Sequence, residues 1–243
     1  MWKTFGGHCL YQSPNDTIVH QNVLYRWLTL GSTAIQTLIN RRDPQKPELG
    51  YIDQLGFAVR AQPGECCLLG LGGAGIAHAL APILGSTPLV AVESNAEIIE
   101  ISATYFMSDR IKNMSIVHQD ASIYVQQCTT QYQHLMVDLY EAHSFPKQCN
   151  TRNFFENCQR LLLPQGILAV NLTNLDEQWP IFQLIRENFD QRTIALPVKR
   201  SSNMIILAYK NPSLAPLLDM VKDSHCLKKL SWDTRWGCIA QLW

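Results

Sequence analysis

Short apolar runs alternate with amphipathic segments from residue 65 to about residue 223. Seven runs have the length and composition of strands: 66–70, 88–93, 114–118, 133–138, 165–172, 192–198 and 203–210. Six segments have helical spacing: 74–84, 95–106, 121–127, 151–162, 176–189 and 213–223. This alternation is typical of a mostly parallel sheet with helices on both faces.

Only residues 199–202 separate the last two predicted strands. A parallel crossover needs a dozen or more residues, so these strands must form an antiparallel hairpin. The sequence therefore predicts an α/β fold with a doubly wound, mostly parallel, seven-stranded sheet and an antiparallel C-terminal hairpin.

The pattern differs at both ends of the chain. Residues 17–20, 24–30 and 34–39 form short alternating or β-branched runs with turn residues between them, which predicts a small antiparallel β unit. Residues 49–59 are predicted to form a helix that leads into the main domain. We expect three parts: an N-terminal β unit (1–50), a Rossmann-like nucleoside-binding catalytic domain (51–225) and a tail (226–243) whose tryptophans pack on the domain or on a partner chain.

Composition excludes several classes of function. Twenty basic and twenty acidic residues give zero net charge, so there is no basic excess for a nucleic acid, and pairs such as Lys199-Arg200 are expected to be solvated. None of the eight cysteines has C-x-x-C spacing, so we expect no metal and mostly buried thiols in a reducing cytoplasm. The N-terminus lacks the apolar core of a signal peptide, and Pro82 and five glycines interrupt the apolar stretch 66–85, so no membrane association is expected.

A glycine-rich turn follows the first strand of the main domain. Gly70-Leu-Gly-Gly-Ala-Gly75 fits the G-x-G-x-x-G pattern, and Glu93 ends the next strand about 20 residues later. Glycines allow a ligand close to the backbone, and an acid at this position can accept hydrogen bonds from ribose hydroxyls. The pattern suits a dinucleotide or S-adenosylmethionine equally, and a glycine-rich turn without a ligand is the third reading.

Four acids follow the second, third and fourth strands, namely Glu93, Asp120, Asp138 and Glu141. Since parallel strands end at one edge of the sheet, these carboxylates should converge there. They would attract a sulfonium cofactor and an amine, and would repel a pyrophosphate. Asp120 could accept the adenine amine or cap the next helix, and Asp138 and Glu141 could cap their loop.

Five segments resemble the spermidine synthase family, the polyamine aminopropyltransferases, in order and spacing. They are Leu69-Gly-Leu-Gly-Gly-Ala-Gly75, Ala91-Val-Glu-Ser-Asn95, Val117-His-Gln-Asp-Ala121, Leu135-Met-Val-Asp-Leu-Tyr-Glu141 and Leu161-Leu-Leu-Pro-Gln-Gly-Ile-Leu-Ala-Val170. Trp27-Leu-Thr-Leu30 and Ile35-Gln-Thr37 resemble the family's N-terminal hairpin, and Gly50-Tyr-Ile-Asp53 lies where the family has a Tyr-His-Glu segment. The resemblance covers about residues 15–210 and implies a class I S-adenosylmethionine-dependent methyltransferase-like fold.

The resemblance also implies roles for individual residues. The expected cofactor-binding residues are Gln36, Gly70, Gly72, Gly73, Gly75, Glu93, Asp120 and Ala121. Asp138 and Glu141 are expected to be catalytic, and the expected substrate residues are Tyr51, Asp53 and Tyr140.

The chain departs from the family pattern in ways typical of a divergent, spermidine synthase-like branch. Glu141 stands in place of an aspartate, Ile52 in place of a histidine, and Leu71 and Ala74 in place of glycines. We expect a homodimeric transferase that moves an aminopropyl group from decarboxylated S-adenosylmethionine to a small-molecule amine, because Asp138 would repel the carboxylate of intact S-adenosylmethionine. The alternatives are a methyltransferase that uses intact S-adenosylmethionine and a non-catalytic nucleoside-binding scaffold; a nicotinamide-dependent oxidoreductase ranks last.

Overall fold

A computed structural model describes residues 2–140 and 144–243. The N-terminal part holds four strands: His8–Gln12 (β1), Thr17–Gln21 (β2), Tyr25–Leu30 (β3) and Ile35–Asn40 (β4). The main sheet holds nine: Cys66–Leu69 (β5), Leu89–Glu93 (β6), Met114–His118 (β7), Tyr132–Val137 (β8), Leu162–Leu172 (β9), Thr193–Pro197 (β10), Met204–Tyr209 (β11), Leu227–Asp233 (β12) and Gly237–Leu242 (β13). The helices are Tyr51–Leu55 (α1), Phe57–Ala61 (α2), Gly75–Leu84 (α3), Ala96–Phe106 (α4), Ala121–Gln127 (α5), Arg152–Arg160 (α6), Leu175–Asn188 (α7) and Ala215–Asp223 (α8).

The N-terminal strands form an antiparallel sheet in the order β1-β2-β3-β4, as the sequence predicts for β2 to β4. β1 was not predicted, because most of this edge strand is exposed and it carries little apolar pattern. Val19, Leu28 and Ile39 pack with Ile98 and Phe106 of α4, so the small sheet lies directly against the main domain.

The main sheet has the order β12-β13-β10-β11-β9-β8-β5-β6-β7. Strands β5 to β9 pair in parallel with one another, whereas β11 pairs antiparallel with β9. β10 and β11 form the predicted antiparallel hairpin. This mixed sheet with flanking helices, preceded by a small antiparallel sheet, confirms the predicted α/β fold class.

The predicted count of seven strands is too low, because the C-terminal tail adds two. β13 pairs in parallel with β10, and β12 pairs antiparallel with β13. Cys238, Ala240 and Leu242 alternate into the interior, whereas Trp232 and Trp243 are exposed. The division of the chain at residues 50 and 225 stays a prediction.

A glycine divides the first helical segment, and side-chain caps mark the starts of four later helices. The predicted single helix over 49–59 is two short helices that meet at Gly56. Side chains of Asn95, Asp120, Thr151 and Asn174 accept hydrogen bonds from backbone N–H groups at the starts of α4, α5, α6 and α7. Such caps satisfy donors that have no partner inside the helix.

Strand β5 divides the core into two halves. Cys66 and Leu68 face one apolar cluster and Cys67 and Leu69 face the other, and all four are fully buried. Burial raises the pKa of the Cys66 thiol to about 12, so this thiol stays protonated at neutral pH. Within the described chain every cysteine is free, and most are buried as expected, whereas Cys9 and Cys226 are exposed. No helix in the described ranges combines the length and apolarity that a membrane span requires.

The strand order reverses between β5 and β8. From β5 the chain proceeds outward through β6 and β7, and it then returns to place β8 and β9 on the other side of β5. In an open α/β sheet the crevice at such a reversal, beyond the carboxyl ends of the strands, is where ligands bind.

Candidate active site

A cavity of about 640 Å³ lies at this crevice, between the main sheet and the N-terminal sheet. Ten predicted site residues lie on its wall: Gln36, Tyr51, Gly70, Gly72, Gly75, Glu93, Asp120, Ala121, Asp138 and Tyr140. Gly73 and Asp53 are not on the wall, and Glu141 lies outside the described residues. Ten of the thirteen predicted site residues therefore lie on the wall of one cavity.

The glycine loop, residues 70–75, runs close against the end of β8. Gly70 has a φ of +95°, and a Cβ there would lie 2.3 Å from the backbone oxygen of Asp138. Only glycine fits this approach, which packs the start of the loop against the backbone of Asp138 at the end of β8. Ala74 also adopts a left-handed conformation, at φ 58°, one residue before α3 begins.

Gly73 faces the small sheet rather than the cavity. Its N–H donates to the Thr37 hydroxyl at 2.9 Å, and a Cβ there would lie 2.8 Å from the Thr37 methyl and 3.0 Å from the Phe106 ring. The glycine therefore permits β4 to pack on the loop. Since Gln36 precedes Thr37 on β4, this contact also holds Gln36 at the cavity wall.

Backbone donors fix the Glu93 carboxylate. Its Oε2 accepts the Leu71 N–H at 3.1 Å, and its Oε1 accepts the Asn95 N–H at 3.0 Å. A carboxylate oxygen can accept more than one hydrogen bond, so both oxygens retain capacity for ligand hydroxyls.

Asp120 is both a helix cap and a cavity residue. Its Oδ1 accepts the N–H groups of Ser122 at 2.8 Å and Ile123 at 3.3 Å, and its Oδ2 accepts the Gln148 side-chain amide at 3.2 Å. Burial alone would raise the pKa of Asp120, but hydrogen bonds from these residues lower it overall. The carboxylate is therefore ionised and oriented at neutral pH.

Asp138 receives a hydrogen bond on each oxygen. Tyr51 donates its hydroxyl to Oδ2 at 2.9 Å, and Asn171 donates its amide to Oδ1 at 2.7 Å. Burial raises the pKa of Asp138, and these two hydrogen bonds offset only part of that effect. Burial, followed by the charge and hydrogen bond of Asp138, raises the pKa of Tyr51 well above its ordinary value, so the phenol keeps its proton.

Asp53 faces away from the cavity. Its side chain is 64% exposed and pairs with Arg60 at 3.1 Å. Successive helical residues are about 100° apart, so Asp53 lies on nearly the opposite side of α1 from Tyr51. The geometry gives its predicted substrate role no support.

Several wall residues were not among the predicted site residues. Asn203 donates to Asn171 at 2.8 Å and so extends the hydrogen bonds around Asp138. Glu48, whose side chain is 4% exposed, pairs with Lys3 at 2.5 Å. Lys199 and Arg200, expected to be solvated, are exposed but also line the cavity. The sequence signals a site role only for Asn171 and Asn203, through their amide side chains at strand ends.

Among the described residues, no three His, Cys, Asp or Glu side chains are grouped as metal ligands would be. The cavity carboxylates instead accept hydrogen bonds from N–H and O–H groups or, for Glu48, pair with a lysine.

A model of the spermine/spermidine synthase domain matches residues 76–200, which is just over half of the 243-residue chain. The chain belongs to the spermine/spermidine synthase family. The family resemblance seen in the sequence is thereby confirmed, and so is the prediction that this chain is a transferase.

Relatives in this family include two proteins named polyamine aminopropyltransferase. The Chromobacterium violaceum protein is 28% identical over 194 residues, covering 78% of this chain and 74% of its own length. A Neisseria meningitidis protein is 24% identical over 202 residues, covering 81% and 77%.

Solved structures agree at the level of fold. A spermidine synthase in complex with the transition-state analogue AdoDATO superposes with a TM-score of 0.69 at 16% identity, over 93% of this chain and 81% of that one. Human methyltransferase-like protein 13, in complex with SAH, gives a TM-score of 0.60 at 15% identity, over 77% and 97%. The family and the class I methyltransferases thus share this architecture.

Proposed function

We propose that this chain transfers an aminopropyl group from decarboxylated S-adenosylmethionine to an amine, as a polyamine aminopropyltransferase does. The observation that carries the proposal is the continuity of the cavity. One half, which we call the nucleoside half, holds the glycine loop, Glu93 and Asp120; the other, the reaction half, holds Tyr51, Asp138 and Asn171.

The nucleoside half suits an adenosine. Glu93 is oriented by two N–H groups and can accept hydrogen bonds from both ribose hydroxyls. In this proposal Asp120 accepts the adenine amine, with Ala121 beside it, and the glycine loop allows the chain attached to sulfur to pass close to the backbone. A dinucleotide pyrophosphate would meet the carboxylates instead of cations here.

The reaction half suits an amine nucleophile. The nitrogen attacks the methylene carbon next to sulfur, a C–N bond forms, and the C–S bond breaks with its electron pair going to sulfur. The neutral thioether 5′-methylthioadenosine leaves. The amine must first give up a proton, and a carboxylate in reach can accept it and orient the nitrogen.

We assign this role to Asp138, and the hydrogen bonds from Tyr51 and Asn171, which fix both carboxylate oxygens, support the assignment. Glu141 is proposed as the second carboxylate on the family resemblance alone. The longer glutamate side chain would move the carboxylate by about an ångström relative to an aspartate, which matters for a positioned base.

A methyltransferase reaction is the second candidate, favoured by the superposition on human methyltransferase-like protein 13. Asp138, at the reaction half, would repel the carboxylate of intact S-adenosylmethionine, and this ranks the decarboxylated donor first. Homodimer formation, a cytoplasmic location and the lack of nucleic-acid or membrane partners stay predictions.

Calorimetry with four ligands tests the donor: decarboxylated S-adenosylmethionine, S-adenosylmethionine, 5′-methylthioadenosine and NAD. We expect the decarboxylated donor and 5′-methylthioadenosine to bind most tightly. Tighter binding of intact S-adenosylmethionine, or of NAD, would overturn the choice of donor.

Mass spectrometry of a mixture with an amine then tests transfer. Asp138→Asn should abolish the aminopropyl product and leave 5′-methylthioadenosine affinity within a few-fold. Asp53→Asn is the matched control, because Asp53 is a nearby aspartate outside the cavity, and it should retain transfer. Full transfer by Asp138→Asn would remove Asp138 from the mechanism.

A further inference from the structure

The charged residues on the cavity wall divide into two groups. Among the described residues, the four acids Glu48, Glu93, Asp120 and Asp138 all have hydrogen-bond donors from the chain itself. The wall also carries two cations, Lys199 and Arg200. Neither cation's side chain makes a hydrogen bond or ion pair with any other residue in the described ranges.

The strand order places these cations in the reaction half. They lie in the β10–β11 turn (residues 198–203), and β11 lies on the same side of β5 as β8, whereas β6 and β7 lie on the other side. The turn reaches Asp138 through Asn203 and Asn171, at 2.8 and 2.7 Å. A Cβ on Gly50, the neighbour of Tyr51, would lie 3.8 Å from Val198 at the start of the turn.

The local charge follows from these contacts. Lys3 neutralises Glu48, so among residues 2–140 and 144–243 the charges of the reaction half are the Asp138 carboxylate and the two cations. Glu141, proposed above as a second carboxylate, lies outside these residues. A lysine ammonium and an arginine guanidinium would repel the far ammonium of a diamine whose near nitrogen lies at Asp138. Both would attract a carboxylate, and the guanidinium can bind one through two parallel hydrogen bonds.

From this arrangement we propose that Lys199 and Arg200 form a subsite for a carboxylate on the acceptor. The acceptor is then an amine that carries a carboxylate at its far end, such as an amino acid, rather than a simple diamine. This inference rests on the proposed aminopropyl transfer and names the acceptor class for it. The bonds made and broken at the nitrogen and sulfur are the same as before.

A matched pair of acceptors tests the proposal with decarboxylated S-adenosylmethionine as donor. 1,4-Diaminobutane and 4-aminobutanoate differ at one end, where an ammonium replaces a carboxylate. We expect kcat/KM to favour 4-aminobutanoate by about tenfold or more in the wild-type protein. The double variant Lys199→Gln/Arg200→Gln should lose this preference.

Lys228→Gln/Lys229→Gln is the control for lost net charge. These lysines are an exposed basic pair on β12, outside the cavity, and their removal should leave the preference unchanged. The carboxylate subsite would be overturned if the wild-type kcat/KM for 1,4-diaminobutane equals or exceeds that for 4-aminobutanoate and the double variant leaves this ratio unchanged. Aminopropyl transfer itself would still stand.

Two binding measurements separate the remaining outcomes. If the double variant weakens binding of intact S-adenosylmethionine and leaves acceptor preference alone, the cations serve a donor carboxylate and the acceptor assignment is overturned. If no acceptor is converted, the proposed function fails, and calorimetry of 4-aminobutanoate on the 5′-methylthioadenosine complex decides the subsite. If the wild-type complex binds 4-aminobutanoate and the double variant does not, the subsite is supported. If the wild-type complex does not bind 4-aminobutanoate, the subsite is overturned.

Discussion

Asn171 donates its side-chain amide to Oδ1 of Asp138 at 2.7 Å. Its own oxygen accepts from the Asn203 amide at 2.8 Å, and the Asn203 oxygen accepts from the Ser201 hydroxyl. In this series of three hydrogen bonds, every donor points towards Asp138, an arrangement that favours the ionised carboxylate. Asn203 therefore fixes which end of the Asn171 amide meets the carboxylate, although it does not contact Asp138 itself.

Replacing Asn203 with aspartate should reverse the direction of the hydrogen bond between residue 203 and Asn171. An ionised aspartate cannot donate, so the Asn171 amide would turn its NH₂ towards position 203 and its oxygen towards Asp138. Losing that hydrogen bond raises the pKa of Asp138. The acid limb of kcat/KM, where Asp138 becomes protonated, should therefore move to higher pH in Asn203→Asp.

The control is Asn203→Ser, whose hydroxyl can still donate to Asn171 and should keep the limb closer to that of the wild type. An acid limb at the same pH in Asn203→Asp and wild type would show that Asn203 does not act on Asp138.

Removing the Tyr51 hydroxyl should destabilise the ionised Asp138 carboxylate at its other oxygen, Oδ2. Tyr51→Phe takes away the hydrogen bond to Oδ2 and leaves a partly buried carboxylate with one donor fewer. The cost of such a loss is about 1–3 kcal/mol, so kcat/KM should fall by roughly ten- to a hundredfold and its acid limb should move to higher pH.

The affinity for 5′-methylthioadenosine should change little in Tyr51→Phe, since the hydroxyl hydrogen bonds to Asp138. Equal losses in nucleoside affinity and in turnover would instead assign Tyr51 to the nucleoside half.

Gly70→Ala should be strongly destabilising, because its Cβ would lie 2.3 Å from the backbone oxygen of Asp138. We expect a loss of more than about 3 kcal/mol in the free energy of unfolding, or failure to fold. Urea denaturation measures it.

Gly85→Ala is the matched control. Gly85 also has a positive φ, of +57°, but no atom lies within 4 Å of the added Cβ. It should cost only the strain of placing alanine at this glycine-favouring φ and ψ, about 1–3 kcal/mol. Similar losses in the two variants would mean that the close approach to Asp138 is not the cause.

His134 should make the protein less stable in mild acid. It is 1% exposed, its Nε2 meets the Gln62 carbonyl at 2.7 Å, and burial lowers its pKa to about 4. The unfolded chain binds a proton near pH 6.5 and the folded chain does not, so this stability is present above pH 6.5 and is lost as the pH falls towards 4. The total is roughly 3 kcal/mol.

Urea unfolding at pH 7 and pH 5 checks this. His134→Leu should flatten the difference between the two pH values, whereas His225→Gln, at an exposed position, should keep it. A pH difference that survives in His134→Leu would assign the acid sensitivity to other groups.

The sequence predicted the parts of the site that depend on strand ends. Glu93, Asp120 and Asp138 were predicted because each lies at the end of a predicted strand or within two residues of it, and parallel strands all end at one edge. Asp53 was predicted as a substrate residue from the resemblance of its segment, which does not say which side of a helix each residue occupies. In α1 the Asp53 side chain faces outward.

Long-range pairing was beyond what the sequence pattern could show. β13 joins the sheet beside β10, about 40 residues earlier in the chain, and no local signal specifies that partner. Lys3 reaches Glu48 across 45 residues, and the β10–β11 turn enters the cavity only because β11 inserts between β9 and β10. These placements follow from the packing of the whole sheet.

The hydrogen bond from Gly73 to Thr37 makes the small sheet a structural support of the glycine loop. Any ligand that fixes the loop will also hold β4 in place, so part of its binding free energy becomes folding free energy of residues 8–40. Amide hydrogen exchange in β4 would then slow on ligand binding even at residues far from the nucleoside. The N-terminal strands and the nucleoside site therefore gain and lose order together.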